Sequence, residues 1–289
     1  MDMVFAGCKI NLGLRITGKR ADGFHEIDSI FWPLREPHDT LQLRFRPETG
    51  IVVHCSAPDI RPCNNTLTKA YAAMCSMTRN LPGVEVVLHK GIPCGAGLGG
   101  GSSDAAALLR WLNSHIAHPL DLPTLAKAAL QAGADVPFFL QSSPCRVRGI
   151  GERLTAISAC GMSGSHLVLV CPAVHASTPQ AYADYDQAHA ASADTRKTLT
   201  KAHVKANRFF PASTQFQPDL HNDLEAVVFS RHAQLAVIKA DLLQHGGFAA
   251  MSGSGSALYA LFAPTDAKAA QTAADALREK GWNVYTQTL

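Results

Sequence analysis

The feature that most constrains this chain is a glycine-rich stretch followed by an apolar helical pattern, PCGAGLGGGSSDAAALL at residues 93–109. Glycine has no Cβ and adopts positive φ at little cost, so such a stretch lets the backbone approach a ligand closely. Where it enters the first turn of a helix, its N–H groups and the helix dipole together attract an anion. A tight turn needs one or two glycines, whereas five lie between residues 95 and 101. The stretch therefore predicts a phosphate-binding loop, in which Ser102 and Ser103 either cap the helix or donate to phosphate oxygens.

Two common phosphate loops fit this stretch poorly. A Walker A loop needs a lysine directly before its Ser or Thr, and no lysine lies between Lys90 and Arg110. The dinucleotide fingerprint G-x-G-x-x-G is present from Gly95 to Gly100, and Asp121 follows about 20 residues later. That fingerprint also requires a second parallel strand carrying the acid, yet residues 122–133 have a helical pattern. The order of elements therefore argues against a dinucleotide site.

The rest of the pattern predicts an α+β protein of two lobes, with an N-terminal domain at residues 1–160 and a C-terminal domain at 161–289. Helices are expected from about Asn65, after the glycine stretch, and over roughly 123–132 with Gly133 as the C′ residue. The second half has the order β-α-β-β-α-β of a split βαβ unit, with polar helical segments running to about 244. Its first helix is expected to open with Thr178 as cap and Pro179 as first residue. Small and polar residues at 155–165 predict the link between the lobes.

Composition narrows the class of function. The chain has 26 basic and 23 acidic residues, a balance that argues against a dedicated nucleic-acid or membrane-surface protein. No apolar run reaches the ~18 residues of a membrane span, and the N-terminus lacks a signal-peptide pattern. The eight cysteines form no CxxC pair, which predicts free thiols in a reducing cytoplasm. We therefore expect a cytoplasmic protein with a small anionic ligand, as a monomer or weak homodimer.

The glycine stretch resembles the ATP-binding motif of the GHMP kinases, whose general form is P-x-x-x-G-L-G-S-S-A. Other stretches resemble the branch of that family that phosphorylates the 2-hydroxyl of 4-(cytidine 5′-diphospho)-2-C-methyl-D-erythritol in the non-mevalonate isoprenoid pathway. They are KIN (9–11), ITGKRADGFHEIDSIF (16–31), GADVPFFL (133–140) and MSGSGSALYALF (251–262). These stretches follow in matching order across nearly the whole chain, and residues 184–218 match least. The resemblance implies an ATP-dependent kinase with an N-terminal lobe of left-handed-crossover type and a ferredoxin-like C-terminal lobe.

The resemblance also implies roles for individual residues. Asp135 is expected to be the catalytic base, because a carboxylate can accept the proton of an alcohol, and Lys9 would keep it ionised and offset phosphoryl charge. Mg²⁺ is expected on the phosphates and water, since no dedicated carboxylate cage is apparent. The expected ATP-binding residues are Asn65, Lys90, Pro93, Cys94, Gly95, Ala96, Gly97, Leu98, Gly99, Gly100, Gly101, Ser102 and Ser103. The expected substrate-binding residues are Asn11, Phe24, His25, Thr178, Tyr182, Gly253 and Gly255.

Structural alternatives stand beside these roles. Asp135 could be a turn residue and Lys9 an edge-strand lysine, while Phe24 and Tyr182 could be core aromatics and SGSGS (252–256) an ordinary hairpin turn. The family usually has tyrosine at position 24 and phenylalanine at 182, and both exchanges keep an aromatic face for a cytosine ring. Cys8 replaces a usual alanine beside the catalytic lysine, either as packing or as a thiol that alkylation would reach.

Three functions therefore remain open. The first is the kinase of the cytidine-bearing alcohol. The second is another GHMP kinase, acting on homoserine, mevalonate or a sugar. The third is a non-catalytic paralogue that only binds nucleotide. Phe24, His25 and Tyr182 favour a nucleobase-bearing substrate, and the presence of both Lys9 and Asp135 argues against the paralogue, because a binder has no use for a base.

Overall fold

A computed structural model of the chain describes residues 1–56, 65–141, 143–158, 161–190 and 218–289. Within these residues the strands form two sheets, one in each half of the chain. The first sheet consists of β1 (Asp2–Lys19), β2 (His25–Arg46), β3 (Ile51–Cys55), β4 (Gly83–His89), β5 (Cys145–Gly149) and β6 (Arg153–Ala156). Its order is β3-β4-β2-β5-β6, and β1 pairs with β2 beside that path.

The antiparallel pair β1–β2 lies between the two halves of the molecule. Side chains alternate across a strand, and Ile10 and Leu12 pack with Leu169 and Tyr259 of the second half. The intervening Lys9 and Asn11 are also buried, at 4% and 2% exposure. Burial on both faces explains why the first strand reads as a nearly continuous apolar run. It also places a lysine and an asparagine where polar groups require partners.

Helices cover one face of the first sheet and form a common core with it. Leu43 and Val86 of the sheet pack there with Met74 and Leu108 of the helices. β3 and β4 run parallel and are connected through the first helix, which makes this unit the crossover of the lobe. The four helices are α1 (Thr66–Met77), α2 (Gly100–His115), α3 (Leu122–Ala132) and α4 (Val136–Gln141).

The second half forms a four-stranded sheet backed by helices. Its elements are β7 (His166–Cys171), α5 (Thr178–Ala190), α6 (Glu225–Arg231), α7 (Ala233–Gln244), β8 (Phe248–Met251), β9 (Leu258–Phe262), α8 (Ala267–Glu279) and β10 (Asn283–Thr288). The sheet order β10-β7-β9-β8 confirms the predicted split βαβ arrangement of a ferredoxin-like lobe. Val170, Leu258, Ile238 and Leu277 pack between this sheet and its helices. The helical segment predicted at 191–217 lies outside the described residues.

Several sequence predictions differ in detail from the structure. β2 is a single strand that continues through Pro33 and Pro37, although proline ordinarily interrupts strand pairing. Thr178 is the first residue of α5 rather than its cap, because the Ala181 amide donates to the Ser177 carbonyl at 2.9 Å. Gly133 ends α3 as the C-cap with φ 170°, so it is extended and not left-handed. The Gly133 amide makes the last hydrogen bond of α3, donating to the Ala129 carbonyl.

The domain boundary at 160/161 stays a prediction, and residues 159 and 160 within the predicted link lie outside the described residues. Both sheets are complete on either side of that gap, with β6 ending at Ala156 and β7 beginning at His166. Across the described ranges, no helix combines the length and apolarity needed to cross a membrane.

Candidate active site

A cavity of about 830 Å³ opens between the two halves of the chain. One part of its wall comes from β1, the β1–β2 turn and the glycine stretch, and the other from α5 and the segment 253–254. Of the expected site residues, all but Ser103 and Gly255 line this cavity. Both exceptions lie in loop or helix segments whose neighbouring residues line it. The residues predicted from distant parts of the sequence therefore meet in one place, although their roles are not established by this proximity.

The glycine stretch adopts the backbone that its sequence predicts. Gly95, Gly97 and Gly99 have φ of +68°, +73° and +72°, a region that disfavours residues with a Cβ. Gly97 also has no room for a side chain, since a Cβ would lie 2.1 Å from the Ser252 carbonyl oxygen. The loop is thus pressed against the second half of the chain at Ser252.

The carbonyl groups of the glycine stretch are bound by surrounding segments. The Gly95 and Ala96 carbonyls accept from the amides of Ala176 (3.3 Å) and Ala257 (3.1 Å), and the Leu98 carbonyl accepts from the Lys9 amide at 3.0 Å. The Gly97 carbonyl accepts from the Ser252 hydroxyl at 3.0 Å and from Lys9 Nζ at 3.1 Å. Because these carbonyls point into the scaffold, the loop can present N–H groups to an anion in the cavity.

The helix that follows the loop begins without a side-chain cap. Gly99 is the N-cap of α2 in left-handed conformation, and no side chain hydrogen-bonds to the first turn as a cap. The prediction that Ser102 or Ser103 might cap the helix is therefore wrong, because both lie inside the first turn. An uncapped first turn keeps its N–H groups and the positive end of the helix dipole for a ligand.

Lys9 and Asp135 form an ion pair at the base of the loop. Lys9 Nζ lies 3.8 Å from Asp135 Oδ2, and the side chains are 5% and 31% exposed. The ammonium also lies 4.5 Å from the centre of the Phe31 ring. Burial lowers the pKa of Lys9, and the charge of Asp135 opposes that shift. The pair therefore combines a sequestered cation with a carboxylate that is open to the cavity.

A hydrogen-bond network fixes the Lys9 side chain. Asn11 Oδ1 accepts from Lys9 Nζ, and Asn11 Nδ2 donates to the Ser29 hydroxyl at 3.0 Å. Ser29 in turn donates to the Gly13 carbonyl at 2.6 Å. The Ser252 hydroxyl accepts from the Asn11 amide at 3.1 Å. The network connects β1, β2 and the second half, which supports Asn11 more as an orienting residue than as a simple substrate contact.

The second glycine loop, residues 252–256, is more than a hairpin turn. Gly253 and Gly255 have φ of +58° and +79°, and a Cβ on Gly253 would lie 3.0 Å from Asn11 Oδ1. Asn222, which the sequence analysis did not single out, donates to the Met251 and Gly253 carbonyls at 2.8 Å each. The hydroxyl of Thr178 lies 2.7 Å from that of Ser254. The loop is thereby held against β1 and α5.

Aromatic side chains line the end of the cavity near the β1–β2 turn. Phe24 is 60% exposed, so it is not a core aromatic. The His25 ring stacks on Tyr182, with centroids 4.8 Å apart and planes at 21°. Burial and the charge of Asp135 raise the pKa of Tyr182 to about 12, so its hydroxyl stays protonated at neutral pH. The predicted pair of Phe24 and Tyr182 shares this part of the cavity, and Asp186 lines it too.

The opposite end contains Asn65 and a buried charge cluster. Asn65 caps α1, its Oδ1 accepting from the Thr68 amide at 3.0 Å, which confirms the predicted helix start. Lys90 Nζ donates to Asp39 and, at 3.1 Å, to Asp104 Oδ2. Burial disfavours the charge of Lys90, yet the two carboxylates outweigh it and raise the pKa of Lys90. The Lys90 ammonium is therefore bound to these two carboxyl groups. The expectation that Lys90 lies near the adenosine of ATP stays a prediction.

Neither acidic member of this cluster, Asp39 or Asp104, was predicted from the sequence as a site residue. Asp104 is 2% exposed, and its Oδ1 is buried without a hydrogen-bond partner among the described residues. Burial, together with the charge of Asp39, raises the pKa of Asp104 to about 8 although Lys90 opposes the shift. The sequence did indicate that Asp104 is buried, because it lies one turn before Leu108 on the apolar side of α2.

Cys8 is a packing residue. It is 1% exposed, its thiol donates to the Glu36 carbonyl at 3.6 Å, and burial raises its pKa. A neutral, buried thiol reacts slowly with alkylating reagents. The alternative that Cys8 would sensitise the protein to alkylation is therefore disfavoured, whereas Cys94 in the glycine stretch is exposed.

Comparison with known proteins agrees with this geometry. The GHMP kinases N terminal domain matches residues 65–143, and the GHMP kinases C terminal domain matches residues 205–281. A 4-diphosphocytidyl-2-C-methyl-D-erythritol kinase of Nitratidesulfovibrio vulgaris is 44% identical over 285 residues, 98% of this chain and 97% of that protein. The enzyme of the same name from Lawsonia intracellularis is 46% identical over 90% of this chain and 88% of its own length.

Solved structures show the same relationship. A crystal structure of 4-(cytidine 5′-diphospho)-2C-methyl-D-erythritol kinase superposes with a TM-score of 0.77 at 30% identity, covering 99% of this chain and 98% of that one. Homoserine kinase from Cytophaga hutchinsonii superposes with a TM-score of 0.67 at 18% identity, over 100% of this chain and 95% of that one, which shows a shared fold. The chain therefore belongs to the 4-diphosphocytidyl-2-C-methyl-D-erythritol kinase family, a branch of the GHMP kinases.

Proposed function

We propose that this chain transfers the γ-phosphoryl group of ATP to the 2-hydroxyl of 4-(cytidine 5′-diphospho)-2-C-methyl-D-erythritol, a step in non-mevalonate isoprenoid synthesis. The observation that carries the proposal is the Lys9–Asp135 pair, with 3.8 Å between Nζ and Oδ2. The pair lies in a cavity that the glycine stretch lines at one side and the aromatic residues at another. A phosphoryl donor and an alcohol acceptor that carries a nucleobase would make use of all three features.

In the proposed reaction the substrate hydroxyl oxygen attacks the γ-phosphorus, and the bond from that phosphorus to the β–γ bridging oxygen breaks. Asp135 accepts the hydroxyl proton, which requires hydrogen-bond reach to the hydroxyl. ADP leaves with the electron pair of the broken bond. Lys9 places a positive charge beside the base and the transferring group, and such preorganised charge supplies most of the rate in phosphoryl transfer.

The ATP phosphates would lie on the glycine stretch and the uncapped first turn of α2. Positive φ at Gly95, Gly97 and Gly99 and the absence of a cap at Gly99 support this assignment. Mg²⁺ would bind with the nucleotide and neutralise phosphate charge. The described part of the chain has no group of three or more His, Cys, Asp or Glu suited to a metal, so phosphate oxygens and water would be its ligands.

The cytidine group would lie at the aromatic end, between the exposed Phe24 ring and the Tyr182–His25 stack. A cytosine ring has two flat faces, and stacking on aromatic side chains is worth about 1–3 kcal/mol per base. Thr178 and Asn11 also line the cavity, and the erythritol and diphosphate would pass beside them. The nucleobase site is what distinguishes this substrate from homoserine, mevalonate or a sugar.

A phosphorylation assay with ATP and a panel of alcohols tests the proposal. The panel contains the cytidyl diphosphate compound, homoserine, mevalonate and galactose, with ADP release and phosphate transfer both measured. We expect turnover of the cytidyl compound alone. Turnover of another panel member without the cytidyl compound would refute the substrate assignment, and nucleotide binding without any turnover would indicate a non-catalytic paralogue.

Asp135→Asn tests the proposed base. The amide is isosteric with the carboxylate but cannot accept the proton, so we expect turnover to be abolished while the Kd for ATP stays within about threefold. Asp275→Asn is the matched control, because Asp275 lies on the exposed side of α8, paired with Arg278. An active Asp135→Asn variant would remove Asp135 from the role of base.

The two-domain boundary, the cytoplasmic location and a monomeric or weakly dimeric state remain predictions from the sequence. The domain prediction is supported by a separate sheet on each side of the boundary, and the two halves share an apolar cluster that includes Ile10 and Tyr259. Size-exclusion chromatography with light scattering measures the oligomeric state directly.

A further inference from the structure

The β1–β2 turn and α5 meet at one carboxylate. Lys19 ends β1 and His25 begins β2, and the two are cross-strand partners. Both contact Asp186 on α5, since Lys19 Nζ lies 2.6 Å from Asp186 Oδ2 and His25 Nε2 lies 2.8 Å from Oδ1. The strand register thus delivers two nitrogen donors from the first half of the chain to the two oxygens of one side chain in the second half.

Asp186 fixes a ring that is already confined by aromatic neighbours. The His25 side chain is 8% exposed. Tyr182 covers one face of its ring in a stacked arrangement, and the Tyr185 ring meets it nearly perpendicularly with centroids 6.3 Å apart. Stacking is compatible with two ring orientations related by a half-turn about the Cβ–Cγ bond, and the hydrogen bond between Nε2 and Asp186 selects one of them. The position of Tyr182 and the orientation of His25 are therefore set together.

The carboxylate also determines which ring nitrogen carries the proton. Burial works against the charge of Asp186, but the hydrogen bonds from Lys19 and His25 outweigh it and lower the pKa of Asp186. An ionised carboxylate only accepts hydrogen bonds, so His25 Nε2 must be the donor. In a neutral imidazole the other nitrogen, Nδ1, is then an acceptor. An acceptor in this part of the cavity suits a ligand group that donates.

We propose that Asp186, supported by Lys19, is a positioning residue for the base end of the cavity, holding His25 against Tyr182 with Nδ1 as acceptor so that a pyrimidine bearing an amino group is favoured. This inference rests on the proposed function, because it concerns the base of that substrate. Cytosine carries an amino group where uracil carries a carbonyl oxygen. The uracil carbonyl oxygen and His25 Nδ1 would be two acceptors facing each other, which leaves a buried polar group unpaired. This predicts a preference for cytidine over uridine of about 10- to 100-fold.

Steady-state kinetics of Asp186→Asn test the inference. The amide keeps the shape of the carboxylate but can donate as well as accept, so it no longer imposes the Nε2–H tautomer, and it loses the ion pair with Lys19. We expect the KM for the cytidyl compound to rise about 10- to 100-fold, while kcat and the KM for ATP change less than threefold. The preference for the cytidyl over the uridyl analogue should fall about tenfold, and Asp186→Glu should restore part of it.

Asp184→Asn is the matched control on the same helix. Asp184 accepts from Arg231 and from Gln180 at 2.8 Å, so its contacts are confined to the second half of the chain. We expect this variant to lose stability while keeping the cytidyl KM and the base preference of the wild type. Equal kinetic effects of Asp184→Asn and Asp186→Asn would reduce Asp186 to a helix-stabilising residue and overturn the inference.

A second measurement needs no substrate. The ¹⁵N chemical shifts of the His25 ring, assigned with a His25→Gln variant, report which nitrogen is protonated. We expect Nε2–H in the wild type and a mixed population in Asp186→Asn, and a wild type protonated only at Nδ1 would overturn the inference. A wild type that neither binds nor phosphorylates the cytidyl compound overturns the proposed function as well. Normal wild-type turnover with variants indistinguishable from it overturns the inference alone.

Discussion

Replacing Gly97 by alanine tests whether catalysis depends on the close approach of the glycine stretch to the second half of the chain. A Cβ at this position would lie 2.1 Å from the Ser252 carbonyl oxygen, whereas ordinary van der Waals contact begins at 3.4 Å. One of the two loops must therefore move by the difference between these distances, about 1.3 Å. The Ser252 hydroxyl and Lys9 Nζ both hydrogen-bond to the Gly97 carbonyl, so the displacement reaches Lys9, the lysine to which we assign a catalytic role.

The size of the effect follows from two separate costs. A displacement of about 1 Å in a reacting constellation lowers the rate by about 100-fold, equivalent to ~2.7 kcal/mol of activation free energy. The positive φ of Gly97 costs an alanine a further ~1–2 kcal/mol in the free energy of unfolding. We therefore expect kcat to fall at least about 100-fold in a protein that is folded but less stable.

The assay combines steady-state turnover of the cytidyl compound with thermal unfolding. Gly281→Ala is the control, because Gly281 has φ of +85° and a Cβ added there would meet no atom within 4 Å. The Gly281→Ala variant therefore has the strain of a positive φ at alanine but no steric clash with another segment, and it lies in a turn between α8 and β10. If Gly97→Ala and Gly281→Ala had kcat values within about threefold of one another, the close approach would be irrelevant to catalysis and the reasoning would be refuted.

Three further predictions concern protonation and thiol reactivity. Burial lowers the pKa of Lys9, so kcat should decline as pH rises through a value below the usual ~10.4 of lysine. The residual activity of Lys9→Met should not show this decline at alkaline pH. If it did, the decline would belong to another group. Burial raises the pKa of Asp104 to about 8, so the folded protein keeps this carboxyl protonated at pH values where the unfolded chain loses the proton. The free energy of unfolding of the wild type should therefore fall relative to that of Asp104→Asn as pH rises from about 4 to 8. Parallel thermal unfolding curves across that range would contradict this. Iodoacetamide followed by mass spectrometry should label Cys94, which is exposed, well before the buried Cys8. Partial desolvation raises the pKa of Cys94, so the thiolate fraction and the labelling rate should still increase as pH rises above neutrality. Early labelling of Cys8 would show that its pocket opens.

Local sequence patterns predicted the parts of the fold that are determined locally. The glycine stretch, the Asn65 cap and the order β-α-β-β-α-β each depend on residues close together in the chain. β5 and β6 were missed because they have only five and four residues, although CRVRG does alternate apolar and charged residues as a half-buried strand does. They form strands because β5 pairs with the buried segment of β2, which is a tertiary effect.

The candidate site was less accessible to reasoning from patterns. Lys9 and Asp135 are far apart in sequence, and only the family resemblance suggested that they form a pair. The charge cluster of Lys90 with Asp39 and Asp104 was missed because each acid looks ordinary in its own segment. Their shared burial becomes apparent only when β2, the end of β4 and α2 are brought together. Sequence patterns predict a buried carboxylate poorly when its partner is supplied by another element.

The attachment of the glycine stretch limits how the enzyme can move. Ala176, Ser252 and Ala257 of the second half donate hydrogen bonds to the Gly95, Gly97 and Ala96 carbonyls, so moving the halves apart would break the contacts that hold the proposed phosphate-binding loop. Ligand entry and product escape must then use the cavity mouth rather than a hinge. For the same reason, a chimera that joins this N-terminal half to a relative's C-terminal half would keep the loop in place only where the relative supplies the same main-chain amides and a hydroxyl at the position of Ser252.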